Sequence, residues 1–327
     1  MRAAVCGLGA VGARAARQLA STEGVDEVLL RDPRTAHLSE VAASLGDIAT
    51  PERPSITAPP DADVVVLALP PGEHAVAALP LVESGVAVVS TSDAVEDVEA
   101  LLDLGPVAEA RGVPLIVGAA FSPGLTCLLA RHAADAFDDV TEVHVARLGT
   151  GGPACAHQHH RALGGRAIDW RDGGWQRRSA GSGRELCWFP DPVGAADCYR
   201  ASVSEALLLV NALGEIDRVT AQLAATRRDR LTARLPMLRR PHPEGTIGAV
   251  RAEVRGRMDE RFETIVYGAF DRPGVAAGAV AAVAAVAAVR GELGIGPGAS
   301  GLGATTRARD LLLALADRGV KAAAFTG

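Results

Sequence analysis

Lysine is almost absent from this chain of 327 residues, and the only one is Lys321, six residues from the end. Arginine therefore supplies nearly all of the positive charge. Enzymes that form a Schiff base with their substrate need the amine of a lysine side chain. The body of this protein has no such amine, so the sequence excludes a Schiff-base lysine there.

Cysteine is also scarce, and its arrangement argues against a disulfide framework. The cysteines are odd in number, far apart and free of any CxxC pair, whereas small secreted proteins carry paired cysteines at regular spacing. The N-terminus lacks the charged-then-apolar pattern of a secretory signal. We therefore expect a cytoplasmic protein with free thiols at Cys6, Cys127, Cys155, Cys187 and Cys198.

Long, strongly hydrophobic runs are missing as well. The segment Val275–Val289 is apolar but consists of alanine, valine and glycine, and it is too short and too weakly hydrophobic to cross a membrane. It predicts a buried helix, with a subunit interface as one location. The net charge of −6 disfavours nucleic acid and anionic membranes as partners. We expect a soluble homodimer that acts on a small molecule.

A glycine-rich turn follows the first apolar run of the chain. Arg2–Cys6 predicts a strand and Ala13–Ala20 predicts a helix, and the sequence between them has the form GxGxxG. In this context the glycines allow a tight turn, a close approach to a pyrophosphate and close helix–strand packing. The helix N-terminus favours the phosphates. The predicted cofactor contacts here are Gly7, Gly9, Ala10, Val11 and Gly12.

An acidic residue stands at the position expected for ribose recognition. Asp32 lies twenty residues beyond Gly12, at the end of a second predicted strand, Glu27–Leu30. A carboxylate there hydrogen-bonds the ribose hydroxyls of NAD, while a nearby arginine accommodates the 2′-phosphate of NADP. Arg34 is such an arginine, because its guanidinium could bind a phosphate with two hydrogen bonds. The residues therefore leave both cofactors open.

Two further strands fit a doubly wound sheet. Asp63–Leu69 and Gly85–Ser90 are nearly continuous in apolar residues, as strands covered on both faces are. Asp93 is expected to cap the helix Ala94–Leu102. Ligands of such sheets bind beyond the carboxyl ends of the strands, so the predicted neighbours of the nicotinamide are Leu69, Pro70, Thr91 and Ser92.

A second motif follows the next strand, Pro114–Val117. The segment Phe121-Ser-Pro-Gly-Leu125, together with the glycine turn, resembles the saccharopine dehydrogenase-like NAD(P)-dependent reductases, which include carboxynorspermidine dehydrogenase and opine-type relatives. In that family a similar segment leads from the Rossmann domain into the substrate domain and lies beside the nicotinamide. The resemblance favours NADP over NAD, and it implies that Phe121, Pro123 and Gly124 line the cofactor site.

The predicted fold class is α/β, with an N-terminal Rossmann domain built on a doubly wound parallel sheet. An α+β substrate domain with a largely antiparallel sheet follows, because strands of period two and a hairpin signal at Arg171–Gly174 predict antiparallel neighbours. We assign 1–122 to the dinucleotide-binding domain and 123–271 to the substrate and dimerisation domain. We expect 272–327 to return to the first domain as two helices.

The densest group of reactive side chains follows a glycine-rich turn and a proline, in the segment Gly149–Arg161. Pro153 suits the first turn of a helix. On that helix three basic side chains share one face and His159 points elsewhere. We predict that His160 and His157 carry the catalytic proton. The predicted substrate contacts are Arg161, Gly151, Gly152 and, after a later strand, Arg227.

Other interpretations of the histidine cluster stay open. Three histidines and a cysteine could ligate a metal, but His157 and His160 are one helical turn apart and no HEXXH or CxxC motif supplies further ligands, so we predict none. The cluster could also be a solvent-exposed polar cap. If neither histidine lies at the cleft, Asp172 and Glu185 are the next catalytic candidates.

Three functions are compatible with these patterns. The first is hydride transfer to or from the C–N bond of an amino-acid-derived imine or secondary amine, which the resemblance favours. Some saccharopine dehydrogenases use a lysine–histidine pair, and this chain offers no such lysine. The second is a carbonyl or sugar oxidoreductase similar to the glucose–fructose oxidoreductase-like enzymes. Those enzymes usually carry an E-K-P segment where this chain has Ser90-Thr-Ser92, which counts against this function. The third is a nucleotide-binding protein without catalysis.

Overall fold

The computed structural model describes residues 1–52, 59–237 and 240–325. The chain begins with alternating strands and helices, and later strands follow one another more directly. In chain order the strands are β1 (Arg2–Cys6), β2 (Glu27–Arg31), β3 (Ala49–Pro51), β4 (Val64–Leu67), β5 (Ala87–Ser90), β6 (Pro114–Val117), β7 (Asp139–Leu148), β8 (Arg166–Arg171), β9 (Gly174–Ser179), β10 (Glu185–Trp188), β11 (Ala195–Arg200), β12 (Arg218–Ala224), β13 (Gly248–Met258), β14 (Arg261–Asp271), β15 (Gly298–Gly301) and β16 (Lys321–Phe325).

Helices separate the early strands and return at the C-terminal end. A π-helical turn at Phe121–Leu125 leads directly into one of them. The α-helices are α1 (Gly12–Ala20), α2 (Thr35–Leu45), α3 (His74–Glu83), α4 (Val95–Leu102), α5 (Gly105–Arg111), α6 (Thr126–Ala134), α7 (Pro153–Ala162), α8 (Glu205–Leu213), α9 (Arg227–Thr232), α10 (Pro273–Val289) and α11 (Ala308–Asp317).

The first sheet is parallel and has the order β15-β6-β5-β4-β1-β2-β3. Its central strands are buried over their whole length, and all four residues of β4 are inaccessible to solvent. Valine and leucine suit a strand that helices cover on both faces. The predicted Rossmann sheet is confirmed, and it brings the carboxyl ends of β1, β4, β5 and β6 to one edge.

The second sheet is largely antiparallel, with the path β10-β11-β12-β7-β13-β14-β16 and the hairpin β8–β9 attached to β12. Only the β12–β7 pair on this path is parallel. The predicted hairpin is confirmed, because Trp170 pairs with Trp175 across the turn. The inner face of the central strand β7 carries Val143, Val145 and Arg147, so an arginine stands where the alternation calls for an apolar residue.

The C-terminal segment contributes to both sheets. The predicted buried helix is α10, which packs against α1 and beneath β4 and β5 within the monomer. Strand β15 extends the parallel sheet beside β6, and β16 adds an edge to the second sheet beside β14. These strands were not expected, since their alanine and glycine residues carry no strand signal. Within the described ranges no helix combines the length and apolar character needed to span a bilayer.

One predicted cap is wrong. Helix α4 begins at Val95 with Ala94 as its N-cap residue, and no side chain of the described part of the chain caps it. Asp93 instead directs its carboxylate toward the second sheet, where it accepts a hydrogen bond from Arg147. A buried guanidinium needs a compensating charge more than a helix end needs a cap.

The contact between α1 and α10 depends on a glycine, so Gly278→Val should destabilise the protein. A Cβ at Gly278 would lie 2.6 Å from the Cβ of Arg14 and 2.8 Å from the amide nitrogen of Ala15. Overpacking of this kind costs about 1–3 kcal/mol, which urea unfolding would measure. The control is Gly296→Val, because a Cβ at Gly296 meets no described atom within 4 Å. Equal unfolding free energies for the two variants would contradict the packing argument.

Candidate active site

The glycine turn after β1 has the geometry of a dinucleotide site. Gly7 has φ +88°, and a Cβ there would collide with the carbonyl of Ala68. A Cβ at Gly12 would collide with the carbonyl of Gly7, so α1 lies against the turn. A Cβ at Gly9, in contrast, meets no described atom within 4 Å. The space at Gly9 faces solvent and fits the close approach of a pyrophosphate.

The carboxylate of Asp32 holds this turn in place through hydrogen bonds. The amide of Leu8 donates to its Oδ2 at 2.7 Å, and Arg34 donates to both carboxylate oxygens from Nε and Nη2, at 2.9 and 2.8 Å. Burial raises the pKa of Asp32, but the hydrogen bonds from Arg34 and Leu8 outweigh it and hold the pKa at about 2. The imidazole of His37 donates to the carbonyl of Leu8 at 2.7 Å.

The two groups proposed to distinguish the cofactors therefore form one unit. Asp32 is buried, while the Arg34 side chain is 60% exposed and covers the carboxylate. Arg31, the neighbouring arginine, is buried and paired with Glu52. Of these arginines, Arg34 is the one that reaches the surface beside the turn.

A buried polar network joins the loops that follow β4 and β5. His74 donates from Nε2 to the carbonyl of Leu69 and accepts at Nδ1 from the Ser90 hydroxyl, each at 2.9 Å. Burial lowers the pKa of His74, which keeps its imidazole neutral. The Ser92 hydroxyl donates to Asp97 at 2.7 Å, and Asp97 also accepts from the amide of Gly72.

The structure places the predicted nicotinamide neighbours in or beside this network. Ser92 is buried and its hydroxyl is engaged by Asp97. The Thr91 hydroxyl donates to the carbonyl of Leu67. Leu69 is half-buried and Pro70 is exposed. These side chains hold the two loops together, and whether they touch a cofactor stays a prediction.

The segment Phe121–Leu125 is fully buried between the two sheets. A Cβ at Gly124 would lie 2.9 Å from the carbonyl oxygen of Gly118 and 3.0 Å from a methyl of Val280. Glycine is therefore needed for packing at this position. Phe121 and Pro123 are buried as well. The three residues predicted to line the cofactor site therefore lie at the junction of the domains.

An ionic cluster that the sequence did not reveal connects the two sheets. Arg147 donates from Nη1 to the Asp93 carboxylate at 2.8 Å and to the Ser122 carbonyl at 3.1 Å. Its side chain is 8% exposed, against 18% for Asp93. Burial alone would lower the pKa of Arg147, but Asp93 and then Glu205 outweigh it and raise the pKa. The guanidinium thus stays charged, and Asp93 is the more exposed member of the pair.

Glu205 and Cys155 complete this cluster. The Ser122 hydroxyl donates to Oε1 of Glu205, while Oε2 is buried without a partner among the described residues. Burial, and then the Asp93 carboxylate, raise the pKa of the Cys155 thiol. Cys155 is therefore a neutral thiol near neutral pH, which disfavours a role as a thiolate nucleophile.

The predicted glycine turn before α7 packs on the cofactor turn itself. Gly152 has φ +133°, and a Cβ there would lie 2.8 Å from the Cβ of Ala10. A Cβ at Gly151 would lie 2.9 Å from the amide nitrogen of Gly274. These glycines bring the second domain into contact with the dinucleotide turn.

Helix α7 presents a different histidine to the cluster from those predicted. His157 and Arg161 are exposed, and His160 donates to the carbonyl of Leu235 at 2.9 Å. His159 faces inward: burial and then Arg147 lower its pKa to about 4, while its ring donates to the backbone of Ala224. The apolar residues Ala156, Ala162 and Leu163 define the inner face of this helix, and that spacing would have revealed the orientation of His159.

The remaining candidates lie outside the cluster. Arg227 lines a separate cavity at the start of α9. Asp172 is exposed in the β8–β9 turn, and Glu185 on β10 accepts a hydrogen bond from Gln222. Across the described ranges, no three histidine, cysteine or acidic side chains come together as a metal site.

Comparison with known proteins agrees with this geometry. Residues 1–119 match the model of an oxidoreductase family with an NAD-binding Rossmann fold. Saccharopine dehydrogenase (L-Glu forming) from Saccharomyces cerevisiae has a TM-score of 0.73 at 16% identity, covering 99% of this chain and 100% of its own. Amine dehydrogenase from Mycobacterium smegmatis has a TM-score of 0.52 at 11% identity, covering 94% and 97%. No curated protein matches the sequence. The predicted resemblance to saccharopine dehydrogenases is confirmed for the fold.

Gly9→Val should prevent nicotinamide nucleotides from binding while the fold stays intact. A valine side chain would fill space that borders no described protein atom, so only the ligand would meet it. Quenching of protein fluorescence by NAD(P)H would measure binding, and thermal unfolding would check the fold. The control is Gly174→Val, in the distant hairpin. Normal titration by the Gly9 variant would contradict the assignment of the turn.

His159 should make the protein less stable as the pH falls. Its folded-state pKa of about 4 lies below the ordinary histidine value of 6.5, so folding disfavours the protonated imidazole. The stabilisation is complete above pH 6.5 and is lost as the pH falls toward 4, at about 1.4 kcal/mol per pH unit. His159→Gln should lack this contribution to the slope, while His157→Gln should keep it. Parallel urea-unfolding profiles for wild type and His159→Gln would show that the ring is not buried against Arg147.

Proposed function

We propose that this protein is an NAD(P)-dependent oxidoreductase that transfers hydride to or from the C–N bond of an amino-acid-derived imine or secondary amine. The observation that carries the proposal is the partly exposed Asp93 carboxylate, which Arg147 binds through a hydrogen bond where the two sheets meet. The two solved structures of similar fold bear names that specify formation of L-glutamate and an amine, which supports the same class of bond.

The negative charge of Asp93 favours a substrate in which the reacting bond joins carbon to nitrogen rather than to oxygen. Hydride addition to a carbonyl creates negative charge on oxygen, which a neighbouring carboxylate would oppose. Hydride addition to an imine needs a protonated nitrogen, and a neighbouring carboxylate favours that cationic form before the transfer. Asp93 therefore suits a C–N substrate better than a ketone or a sugar.

The dinucleotide turn fits a nicotinamide cofactor, because Gly9 leaves open space beside the first amides of α1. When bound, the cofactor supplies or accepts the hydride. In the reduction, the substrate carbon gains the hydride and the C=N double bond becomes a single bond. Asp93 holds the cationic nitrogen in place, and Arg147 and Glu205 hold Asp93 and the Phe121–Leu125 segment in position.

The proton on nitrogen is exchanged by a separate group. His157 and His160 are the carriers proposed from the sequence. His157 reaches solvent, and His160 is hydrogen-bonded at the rim to Leu235. His159 is a weaker carrier, because its lowered pKa leaves it little basicity at neutral pH.

We propose NADP as the preferred cofactor. Arg34 is exposed and covers Asp32, so a ribose hydroxyl would have to displace it to reach the carboxylate. A 2′-phosphate could bind the guanidinium where it stands. The family model for residues 1–119, in contrast, describes NAD binding. The preference between the two nucleotides therefore has to be measured.

NAD(P)H oxidation, screened against pairs of keto acids and amines, tests the proposed reaction. With an active pair, Asp93→Asn should lower turnover by roughly 10²–10³-fold without weakening nucleotide binding. Asp103→Asn, an acidic residue at the end of α4, is the matched control. His157→Gln and His160→Gln complete the panel, and a loss of similar size in one of them identifies the proton carrier. Activity with ketones or sugars alone would contradict a C–N substrate, and nucleotide binding with no turnover would favour the non-catalytic alternative.

Arg34→Ala tests the cofactor preference. Removing a charge-assisted contact to the 2′-phosphate should weaken NADPH binding by about tenfold or more, while NADH binding stays equal or improves as Asp32 becomes accessible. Arg17→Ala removes an exposed arginine from α1 and serves as the control. An unchanged ratio of the two dissociation constants would place Arg34 outside the site.

A further inference from the structure

A second cavity, of about 440 Å³, opens between the end of α7 and helix α9. One side consists of small residues, Gly164, Ala180 and Gly181, which leave the backbone close to the surface of the cavity. This volume lies in the range of small-molecule pockets. The cavity is distinct from the dinucleotide turn and from the Asp93–Arg147 pair, neither of which lines it.

The cavity is also lined by Arg227, Arg230 and Arg234. None of the three makes a salt bridge with a carboxylate in the part of the chain that the structure describes. The nearest acidic residue in sequence, Asp229, is occupied by the cap of α9, where it accepts hydrogen bonds from Thr226. Three unneutralised arginines around one cavity contrast with the net charge of −6 of the whole chain.

Arg230 is held in place, which distinguishes this site from a solvated arginine patch. Its Nε donates to the carbonyl of Gly181 at 2.8 Å, and its guanidinium lies 4.1 Å above the ring of buried Tyr199. A guanidinium has five N–H donors, and these contacts use one of them. A cation fixed before binding loses less conformational freedom when it binds an anion.

The cavity is connected to the ionic cluster through α7. Arg147 helps to lower the pKa of the His159 ring. The same ring donates a hydrogen bond to the backbone of Ala224, two residues before the cap residue of α9. The same helix ends at Ala162, and Leu163 behind it lines the cavity. The helix therefore lies next to the ionic cluster, and the residue that follows it lines the cavity.

We propose that this cavity binds the carboxylate or phosphate group of a small anionic ligand through Arg227, Arg230 and Arg234. Arginine binds both groups with paired, charge-assisted hydrogen bonds, and the volume admits a small molecule. The ligand is either the distal end of the substrate or a separate anion that acts through α7. Anion binding does not require hydride transfer, so the two proposals can fail independently.

Isothermal titration calorimetry with glutarate and with inorganic phosphate tests the site on the full-length protein, and glutaramide is the uncharged counterpart of glutarate. The test variant is Arg227→Gln/Arg234→Gln, which keeps the structural contacts of Arg230. The matched control is Arg228→Gln/Arg240→Gln, which also removes two positive charges, at residues that do not line the cavity. Thermal unfolding without ligand checks that both variants fold.

We expect glutarate, phosphate or both to bind the wild type and the control variant, and the test variant to bind at least about tenfold more weakly. Competition between the bound anion and the substrate in the oxidation assay would identify the substrate as the source of the anionic group, and inhibition or activation without competition would identify a separate ligand. Three results would overturn the proposal: no anion binding to the wild type, equal binding of glutaramide, or equal losses in the test and control variants.

Discussion

The buried ion pair between Arg147 and Asp93 is the constraint on which the arrangement of the site depends. Arg147 occupies an inward position of β7, the central strand of the second sheet, between valines and alanines of the core. A guanidinium removed from water costs several kcal/mol unless it is paired. Its partners come from the other domain: the Asp93 carboxylate after β5 and the Ser122 carbonyl after β6. Satisfying one charge therefore fixes the carboxyl edge of the Rossmann sheet against the second sheet.

The rest of the cleft follows from that contact. Once this ion pair holds the two sheets together, the turn at Gly151 and Gly152 packs on Ala10 and Gly274, where larger residues would collide. Helix α7 starts from this turn and directs His159 toward Arg147. Burial of the imidazole, and then the charge of Arg147, lower its pKa. The cofactor turn, the ionic cluster and α7 are consequently parts of one packed unit.

The parts of the fold that were predictable have strong local signals. The glycine turn, the buried strands of the first sheet and the Trp170–Trp175 hairpin depend on neighbouring residues, and all are confirmed. Arg147, Asp93 and Glu205 could not be identified in this way, because they meet only when distant segments fold together. The alternation along β7 would nevertheless have placed Arg147 on the inward face, and the spacing of Ala156 and Ala162 would have placed His159 on the inner face of α7. In both places the periodicity was a better guide than the chemical reactivity of the side chains.

The scarcity of lysine limits the chemistry that the side chains of this protein can supply at the ionic cluster. The only lysine, Lys321, is exposed on the edge strand β16 and pairs with Phe270, while Arg147 lies on β7, with β13 and β14 between the two strands. A guanidinium stays protonated and is a poor nucleophile, so Arg147 can orient Asp93 but cannot form an imine with a carbonyl substrate. Any C=N bond reduced in this cleft must therefore belong to the substrate itself. For such a substrate, the protein's task is to hold a cationic nitrogen, and the exposed side of the Asp93 carboxylate is suited to it.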